Sequence, residues 1–180
     1  LEIDALELHL SPKLRGPYVC FGHSMGALVA FEFARRQAAR TMPGPAMLLL
    51  AGYRGPAAPA SPAIHDLPEP QLREALRRHG GTPAAVLADD AMMQVFSPLL
   101  RADFEVHEGW QYSSGPPLDC PIVALAADDD PFAPADAVEA FAAETDDRFR
   151  LHVFPGGHFF VSSARDAVLA TIQAEVRSAG

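Results

Sequence analysis

The sequence lacks several features that would each place it in a particular class of protein. No apolar run in its 180 residues approaches the roughly 20 residues of a membrane-spanning helix, so we expect no membrane partner. Lysine and arginine number 14 against 23 acidic residues, and the net charge of −9 argues against nucleic acid, whose phosphates attract basic surfaces. Internal repeats and long low-complexity tracts are also absent, which leaves one globular domain as the expectation.

Cysteine is scarce as well. Cys20 and Cys120 each border an apolar run, and no group of cysteines and histidines has the spacing of a metal site. The sequence therefore predicts no metal, and two reduced thiols in the cytoplasm are the simplest interpretation. The chain begins with Leu1 instead of methionine, so the lack of a signal peptide says little about localisation.

What the sequence does contain is a regular alternation of strand and helix patterns. Continuous apolar runs predict buried strands, and amphipathic runs between them predict helices. The predicted strands are residues 17–21, 46–51, 121–126 and 149–154. The predicted helices are residues 1–15, 27–36, 70–79, a segment from 92, 135–144 and 163–177, the last with a capping box at Ser163-x-x-Asp166 and a buried stripe of Val168, Leu169, Ile172 and Val176. This alternation favours the α/β class with a parallel sheet.

The stretch Phe-Gly-His-Ser-Met-Gly at residues 21–26 matches G-x-S-x-G, the nucleophile elbow of α/β hydrolases. Such a turn between strand and helix exposes the hydroxyl of Ser24. Gly22 and Gly26 are expected to let the strand and the helix approach closely. The free N–H groups at the helix start point back at the serine, so the Met25 N–H is expected to stabilise an oxyanion on a bound substrate. The pattern by itself is loose, but the flanking strand and helix support the catalytic interpretation.

A nucleophilic serine needs a base, and the base needs a third group that fixes its tautomer. In α/β hydrolases the three occur in the chain order serine, acid, histidine. His158 follows a predicted strand and two glycines, at the sheet edge where parallel strands of this class place their sites. We therefore predict His158 as the base. His23 adjoins Ser24, but its side chain is expected to point away from the Ser24 hydroxyl. The remaining histidines sit on predicted helices, on the approaches to them or inside a strand: His9, His65, His79, His107 and His152.

Three consecutive aspartates follow the 121–126 strand, so the acid is open to alternatives. Asp130 precedes Pro131 in the turn that starts the next helix, and we predict it as the acid. Asp128 and Asp129 fit solvated loop charges, and they remain the alternatives for the same role.

Residues 65–110 form a helical region between two predicted strands. A helical insertion at this place in a hydrolase is usually a lid over the active site, although plain core packing by Met and Leu explains the same pattern. Ser97-Pro98 is expected to interrupt its second helix. Arg73, Arg77 and Arg78 form a basic group on the first helix, which is either a docking patch or a solvated face.

With these residues assembled, the chain resembles the type II thioesterases that accompany polyketide and nonribosomal peptide synthases. The resemblance spans nearly the whole chain. In that family the matching serine, aspartate and histidine are catalytic, which supports Ser24, Asp130 and His158 and favours Asp130 among the three aspartates. The motifs that carry it are Gly-His-Ser-Met-Gly-Ala at 22–27, Leu-Leu-Arg-Ala-Asp-Phe at 99–104, Asp-Asp-Asp-Pro at 128–131 and Phe-Pro-Gly-Gly-His-Phe-Phe at 154–160.

The resemblance implies an α/β-hydrolase fold and the hydrolysis of acyl groups from the phosphopantetheine arm of an acyl or peptidyl carrier protein, which clears stalled or wrongly primed synthases. No cofactor is expected, because the phosphopantetheine belongs to the substrate. Family members carry further strands before the elbow, so residues 1–180 are expected to be the C-terminal part of one hydrolase domain. Two alternatives are a carboxylesterase or lipase with the same triad and a non-catalytic hydrolase-like fragment.

Overall fold

The computed structural model describes residues 3–59 and 63–178, and within them four strands form one parallel sheet. The strands lie in the order in which they occur in the chain, each beside the next. They are β1 Val19–His23, β2 Met47–Ala51, β3 Ile122–Ala127 and β4 Phe149–Phe154. The α/β class, the parallel sheet and all four predicted strands are confirmed, with the first strand shifted two residues toward the elbow.

Helices connect these strands and cover both faces of the sheet. The α-helices are α1 Ile3–Leu10, α2 Met25–Ala39, α3 Glu69–His79, α4 Ala84–Ala88, α5 Asp90–Glu108, α6 Ala135–Glu139, α7 Phe160–Ser163 and α8 Arg165–Ser178. Two short 3₁₀ helices, Ser11–Lys13 and Ala140–Glu144, continue α1 and α6.

The core lies on either side of the two central strands, where every residue of β2 and β3 is buried. Alternate residues point to opposite faces of a strand. Leu48 and Leu50 accordingly join a cluster with Phe31 of α2. Leu49 and Val123 join a second cluster, on the face covered by α7 and α8. Burial on both faces explains why these strands are uniformly apolar instead of alternating.

The helical insertion α3–α5 follows β2 and precedes β3 in the chain. Its second long helix, α5, differs from the prediction. Helix α5 runs without a break through Pro98, although proline removes one backbone hydrogen bond. Ser97 Oγ donates to Glu69 Oε1 at 2.9 Å, and Met93 and Leu72 share a buried cluster between α3 and α5. These tertiary contacts hold the helix together, and the break predicted at Ser97-Pro98 is wrong.

The C-terminal helix also departs from the prediction. Ser163 ends α7 instead of capping α8, so the expected capping box is absent. Val168 is buried, but Leu169 and Val176 of the predicted stripe are exposed. Glu175 of α8 is buried instead, and its carboxylate accepts hydrogen bonds from Arg150 and His152 of β4. These polar contacts replace part of the apolar contact that was predicted between α8 and the sheet.

Within residues 3–59 and 63–178, no helix combines the length and the apolar character that crossing a membrane requires.

Candidate active site

The turn at Ser24 has the geometry of a nucleophile elbow. Ser24 joins β1 to α2 with φ 55° and ψ −127°, a strained conformation for a residue with a side chain. Its N–H donates to the carbonyl of Ala51 on β2 at 2.8 Å, which fixes the turn to the neighbouring strand. The turn is therefore positioned by sheet hydrogen bonds, with the serine at the carboxyl edge of the sheet.

The two elbow glycines are not equivalent. A Cβ atom on Gly22 would lie 2.1 Å from the carbonyl oxygen of Gly26, so only glycine fits there. A Cβ atom on Gly26 would meet nothing within 4 Å. The close approach of strand and helix therefore depends on Gly22, and the expectation that Gly26 is needed for it is wrong.

The N-terminus of α2 lies directly after the serine. Met25 is the first residue of this helix, and the N–H groups of a first helical turn have no acceptor within the helix. The positive end of the helix dipole adds to the local preference for negative charge. The backbone of Met25 thus has the location that the oxyanion role requires.

Ser24, His158 and Asp130 are brought together by three different loops at the carboxyl edge of the sheet. Ser24 Oγ lies 2.9 Å from His158 Nε2, and His158 Nδ1 lies 2.8 Å from Asp130 Oδ2. The side chains come from positions up to 134 residues apart in the chain. Both supporting residues are sealed from solvent, with His158 4% and Asp130 3% exposed.

The surroundings of Asp130 keep its carboxyl group ionised. Burial alone would raise its pKa, but the hydrogen bond to His158 and the N–H groups of Phe132 and Ala133 lower the pKa below its ordinary value. A carboxylate can only accept, so His158 carries its proton on Nδ1. His158 Nε2 is then the acceptor for the Ser24 hydroxyl, which is the arrangement that a general base needs.

The other two aspartates of the run have different surroundings. Asp128 Oδ1 accepts the N–H of Gly156 at 2.9 Å and so links the acid loop to the histidine loop. The Asp129 N–H donates to the carbonyl of Gly156, and its side chain is exposed. Asp130 is the aspartate whose carboxylate contacts His158.

Two histidines that sequence patterns placed outside the site lie against His158. The ring centroid of His79, the last residue of α3, is 4.1 Å from that of His158. The ring of His23 is 5.0 Å away, and its Nε2 donates to the His158 carbonyl. For His23, the sequence offered one indication of a place near the site, namely that it immediately precedes Ser24. Nothing in the sequence pointed to His79, because its place depends on how α3 folds over the sheet.

The imidazoles around the site are held in their neutral form. Burial and the neighbouring His158 lower the pKa of His79 to about 4. Burial likewise lowers the pKa values of His23 and His107 below the ordinary histidine value. These three rings beside the site are therefore uncharged at neutral pH.

A cavity of about 480 Å³ opens at Ser24 beneath the helical insertion. This volume is within the range of sites that take drug-sized ligands. The lining is mainly apolar, and α3 and α5 provide much of its roof. Its larger apolar residues include Ile64, Leu76, Leu100, Phe104, Phe132 and Phe159. Such a chamber suits an apolar group attached to the atom that Ser24 would attack.

The basic group on α3 is largely occupied by neighbouring acids. Arg73 bonds to Glu69 at 3.1 Å and to Asp90 at 2.8 Å. Arg77 pairs with Glu74 on the same helix, and Arg78 is exposed. Arg73 thus belongs to the contacts between α3 and the start of α5, which argues against a docking patch built on it, whereas Arg77 and Arg78 lie on an exposed face.

Among the residues that the structure describes, no group of three or more histidine, cysteine or acidic side chains could hold a metal ion.

Comparison with known proteins gives consistent matches across nearly the whole chain. A family model described as "Thioesterase domain" matches residues 4–176. The gramicidin S biosynthesis protein GrsT of Aneurinibacillus migulanus is 35% identical over 164 residues, which cover 91% of this chain and 64% of that protein.

Solved structures are similar in both sequence and fold. RedJ, a thioesterase from the prodiginine pathway of Streptomyces coelicolor, is 39% identical with a TM-score of 0.84, over 96% of this chain and 68% of RedJ. BorB, the type II thioesterase of the borrelidin cluster, is 37% identical with a TM-score of 0.77, over 96% of this chain and 72% of BorB. The chain thus spans between 64% and 72% of the lengths of these three relatives.

Proposed function

The chain belongs to the thioesterase domain family, and on that premise we propose that it hydrolyses acyl groups from the phosphopantetheine arm of carrier proteins. The observation that carries the proposal is the continuous hydrogen-bond chain Ser24–His158–Asp130 at the mouth of an apolar cavity. GrsT, RedJ and BorB are named for the biosynthesis of gramicidin S, prodiginine and borrelidin, respectively. These names support an editing role for this chain beside a polyketide or nonribosomal peptide synthase.

Acylation begins when His158 Nε2 takes the proton of the Ser24 hydroxyl as the oxygen attacks the thioester carbonyl carbon. The negative charge that develops on the carbonyl oxygen is stabilised by the Met25 N–H at the start of α2. Asp130 holds the imidazole in the required tautomer and stabilises the imidazolium. The carbon–sulfur bond then breaks, the leaving thiolate takes the proton from His158, and the acyl group remains on Ser24.

Deacylation repeats these steps with water as the nucleophile. His158 removes a proton from water, the hydroxide adds to the acyl carbon, and Ser24 leaves with the proton returned by His158. One thioester and one water thus yield one carboxylic acid and one free thiol on the carrier arm. No cofactor enters this scheme.

The helical insertion serves as the lid of the site in this proposal. Its helices α3 and α5 contribute Leu76, Leu100 and Phe104 to the cavity, so an acyl chain would bind between the insertion and the sheet edge. His79 brings the insertion into contact with His158. Action in the cytoplasm, with Cys20 and Cys120 as reduced thiols, is part of the same proposal.

The test compares three substrates with the same acyl group: an acyl carrier protein, acyl-CoA and a p-nitrophenyl ester. We expect the highest kcat/KM with the carrier-linked thioester. Ser24→Ala is the matched control, and it should lower kcat on the order of 10⁶-fold without changing the thermal melting temperature. A preference for the p-nitrophenyl ester would favour a carboxylesterase, and failure of the wild type on all three would favour a non-catalytic protein.

A further inference from the structure

His23 makes a direct hydrogen bond to the backbone of the proposed base. It is the last residue of β1 and immediately precedes Ser24. Its Nε2 lies 2.8 Å from the carbonyl oxygen of His158. A carbonyl can only accept, so Nε2 of His23 must carry the proton. The residue before the nucleophile is thereby tied to the residue that removes the nucleophile's proton.

The ring of His23 is held in place by aromatic neighbours. Its centroid lies 5.6 Å from the ring of Phe159 and 6.1 Å from that of Phe160. On the opposite loop, a Cβ atom on Gly52 would approach His23 Nε2 to 3.1 Å, so glycine leaves room for the ring. Burial lowers the pKa of His23, which keeps the ring neutral at pH 7 with one proton to donate.

The loop that carries His158 includes two consecutive glycines. It passes through Gly156, at φ 114°, and Gly157, and glycine permits many backbone conformations. The bonds from the acid loop hold this loop at Gly156, through Asp128 and the backbone of Asp129. The bond from His23 holds it at His158 itself.

The contacts of His158 change during the proposed reaction. In the free protein its ring bonds to both Asp130 and Ser24. Once Ser24 is acylated, its oxygen has no proton to donate to His158 Nε2. The bond from His23 does not involve the Ser24 hydroxyl, so it persists in the acylated state.

We propose that His23 is a positioning residue whose Nε2–H holds the His158 backbone in place, chiefly while Ser24 carries the acyl group. This inference rests on the proposed serine hydrolase function. Its consequence is specific: loss of the donor should slow deacylation more than acylation, because water must be activated by a His158 that no longer bonds to the Ser24 hydroxyl.

The experiment uses two matched variants. His23→Phe keeps an aromatic ring among Phe159 and Phe160 but removes the donor, and His23→Gln returns an N–H donor near the position of Nε2. Stopped-flow release of p-nitrophenol from an acyl ester separates a first-turnover burst, which reports acylation, from the steady rate. We expect the Phe variant to show a clear burst with kcat reduced about 10- to 100-fold, the range that small misplacement of a catalytic group produces. The Gln variant should recover most of kcat.

Several outcomes would overturn the inference. Equal slowing of the burst and the steady rate, or a Gln variant as slow as the Phe variant, would assign His23 a packing role only. Unchanged kcat in the Phe variant would remove the role altogether. If the Phe variant does not fold, His23→Met removes the same donor with a more adaptable apolar side chain.

A separate measurement distinguishes this inference from the function on which it rests. A fluorophosphonate that reacts with activated serines should label the wild type at Ser24. A wild type that is not labelled contradicts the proposed function itself. Labelling of wild type and Phe variant at the same rate, with the same steady rate, contradicts only the role of His23.

Discussion

The imidazole of His79 lies against that of His158, with the ring centroids 4.1 Å apart and the ring planes tilted by 49°. His79 ends α3 and belongs to the helical insertion, whereas His158 follows β4 and is the proposed base. Burial, together with the neighbouring His158 ring, lowers the pKa of His79 to about 4. The position of the insertion is thus coupled to the protonation of His79.

This contact predicts a dependence of stability on pH. The folded pKa of His79 lies below the unfolded value of 6.5, so the unfolded chain binds more protons between these values. Stability from the neutral ring is therefore complete above the unfolded pKa and is lost as the pH falls toward 4. We expect His79→Phe to lose less unfolding free energy than the wild type between pH 7 and pH 5, by at most about 2 kcal/mol, since partial exposure weakens the effect.

Urea unfolding at the two pH values measures this difference. His23 and His107 also have lowered pKa values, so both proteins should keep a smaller common dependence. Identical slopes for wild type and His79→Phe would show that His79 is not held neutral in the folded protein.

Replacement of Asp130 should be the most damaging change among the three consecutive aspartates. Asp130→Asn retains the shape of the side chain but favours the wrong tautomer of His158, a change that lowers kcat by about 10⁴ in a serine protease. Asp128→Asn should have an intermediate effect, because the amide oxygen still accepts the Gly156 N–H but without the charge that strengthens this hydrogen bond. Asp129→Asn is the matched control with near-normal kcat. A larger loss in Asp129→Asn than in Asp130→Asn would refute the assignment of the acid.

The two elbow glycines should respond in opposite directions to alanine. Gly22→Ala forces a Cβ atom to within 2.1 Å of the Gly26 carbonyl oxygen, and we expect a loss of at least about 3 kcal/mol in unfolding free energy. Gly26→Ala meets open space inside α2 and should stabilise by about 0.5–1 kcal/mol. Denaturant titration of the two variants measures both values. Equal destabilisation would mean that the elbow packs differently from the described geometry.

Charge reversal at Arg73 should affect every substrate alike. Arg73→Glu places a third acid beside Glu69 and Asp90, which repels the start of α5 and lowers the melting temperature. Activity on an acyl carrier protein and on a small acyl thioester should then fall by the same factor. Arg78→Glu, on an exposed position, is the control. A salt-sensitive loss confined to the carrier substrate in Arg73→Glu would restore the docking-patch alternative.

Much of this arrangement was determined by the sequence alone, because its signals are local. Uniform apolar runs identified β2 and β3, since a strand covered on both faces has no polar side. The glycine pattern around Ser24 identified the elbow, because a sharp turn between strand and helix restricts residue types within a few positions. The order of Ser24, an acid and His158 then followed from the ends of parallel strands.

The tertiary structure decided what depends on contacts between distant residues. Pro98 lies inside an unbroken helix because α3 packs against α5. The tendency of proline to end helices is a local property and does not include the effect of that packing. Arg73 links α3 to the start of α5 through an ion pair with Asp90 instead of standing as an unpaired surface charge. His23 and His158 bond across a separation of 135 residues, and His79 reaches the same ring from the insertion. Local sequence signals extend over a few residues, whereas the site is assembled from three loops that are distant in the chain. Such contacts could therefore not be predicted from the sequence and are visible only in the folded structure.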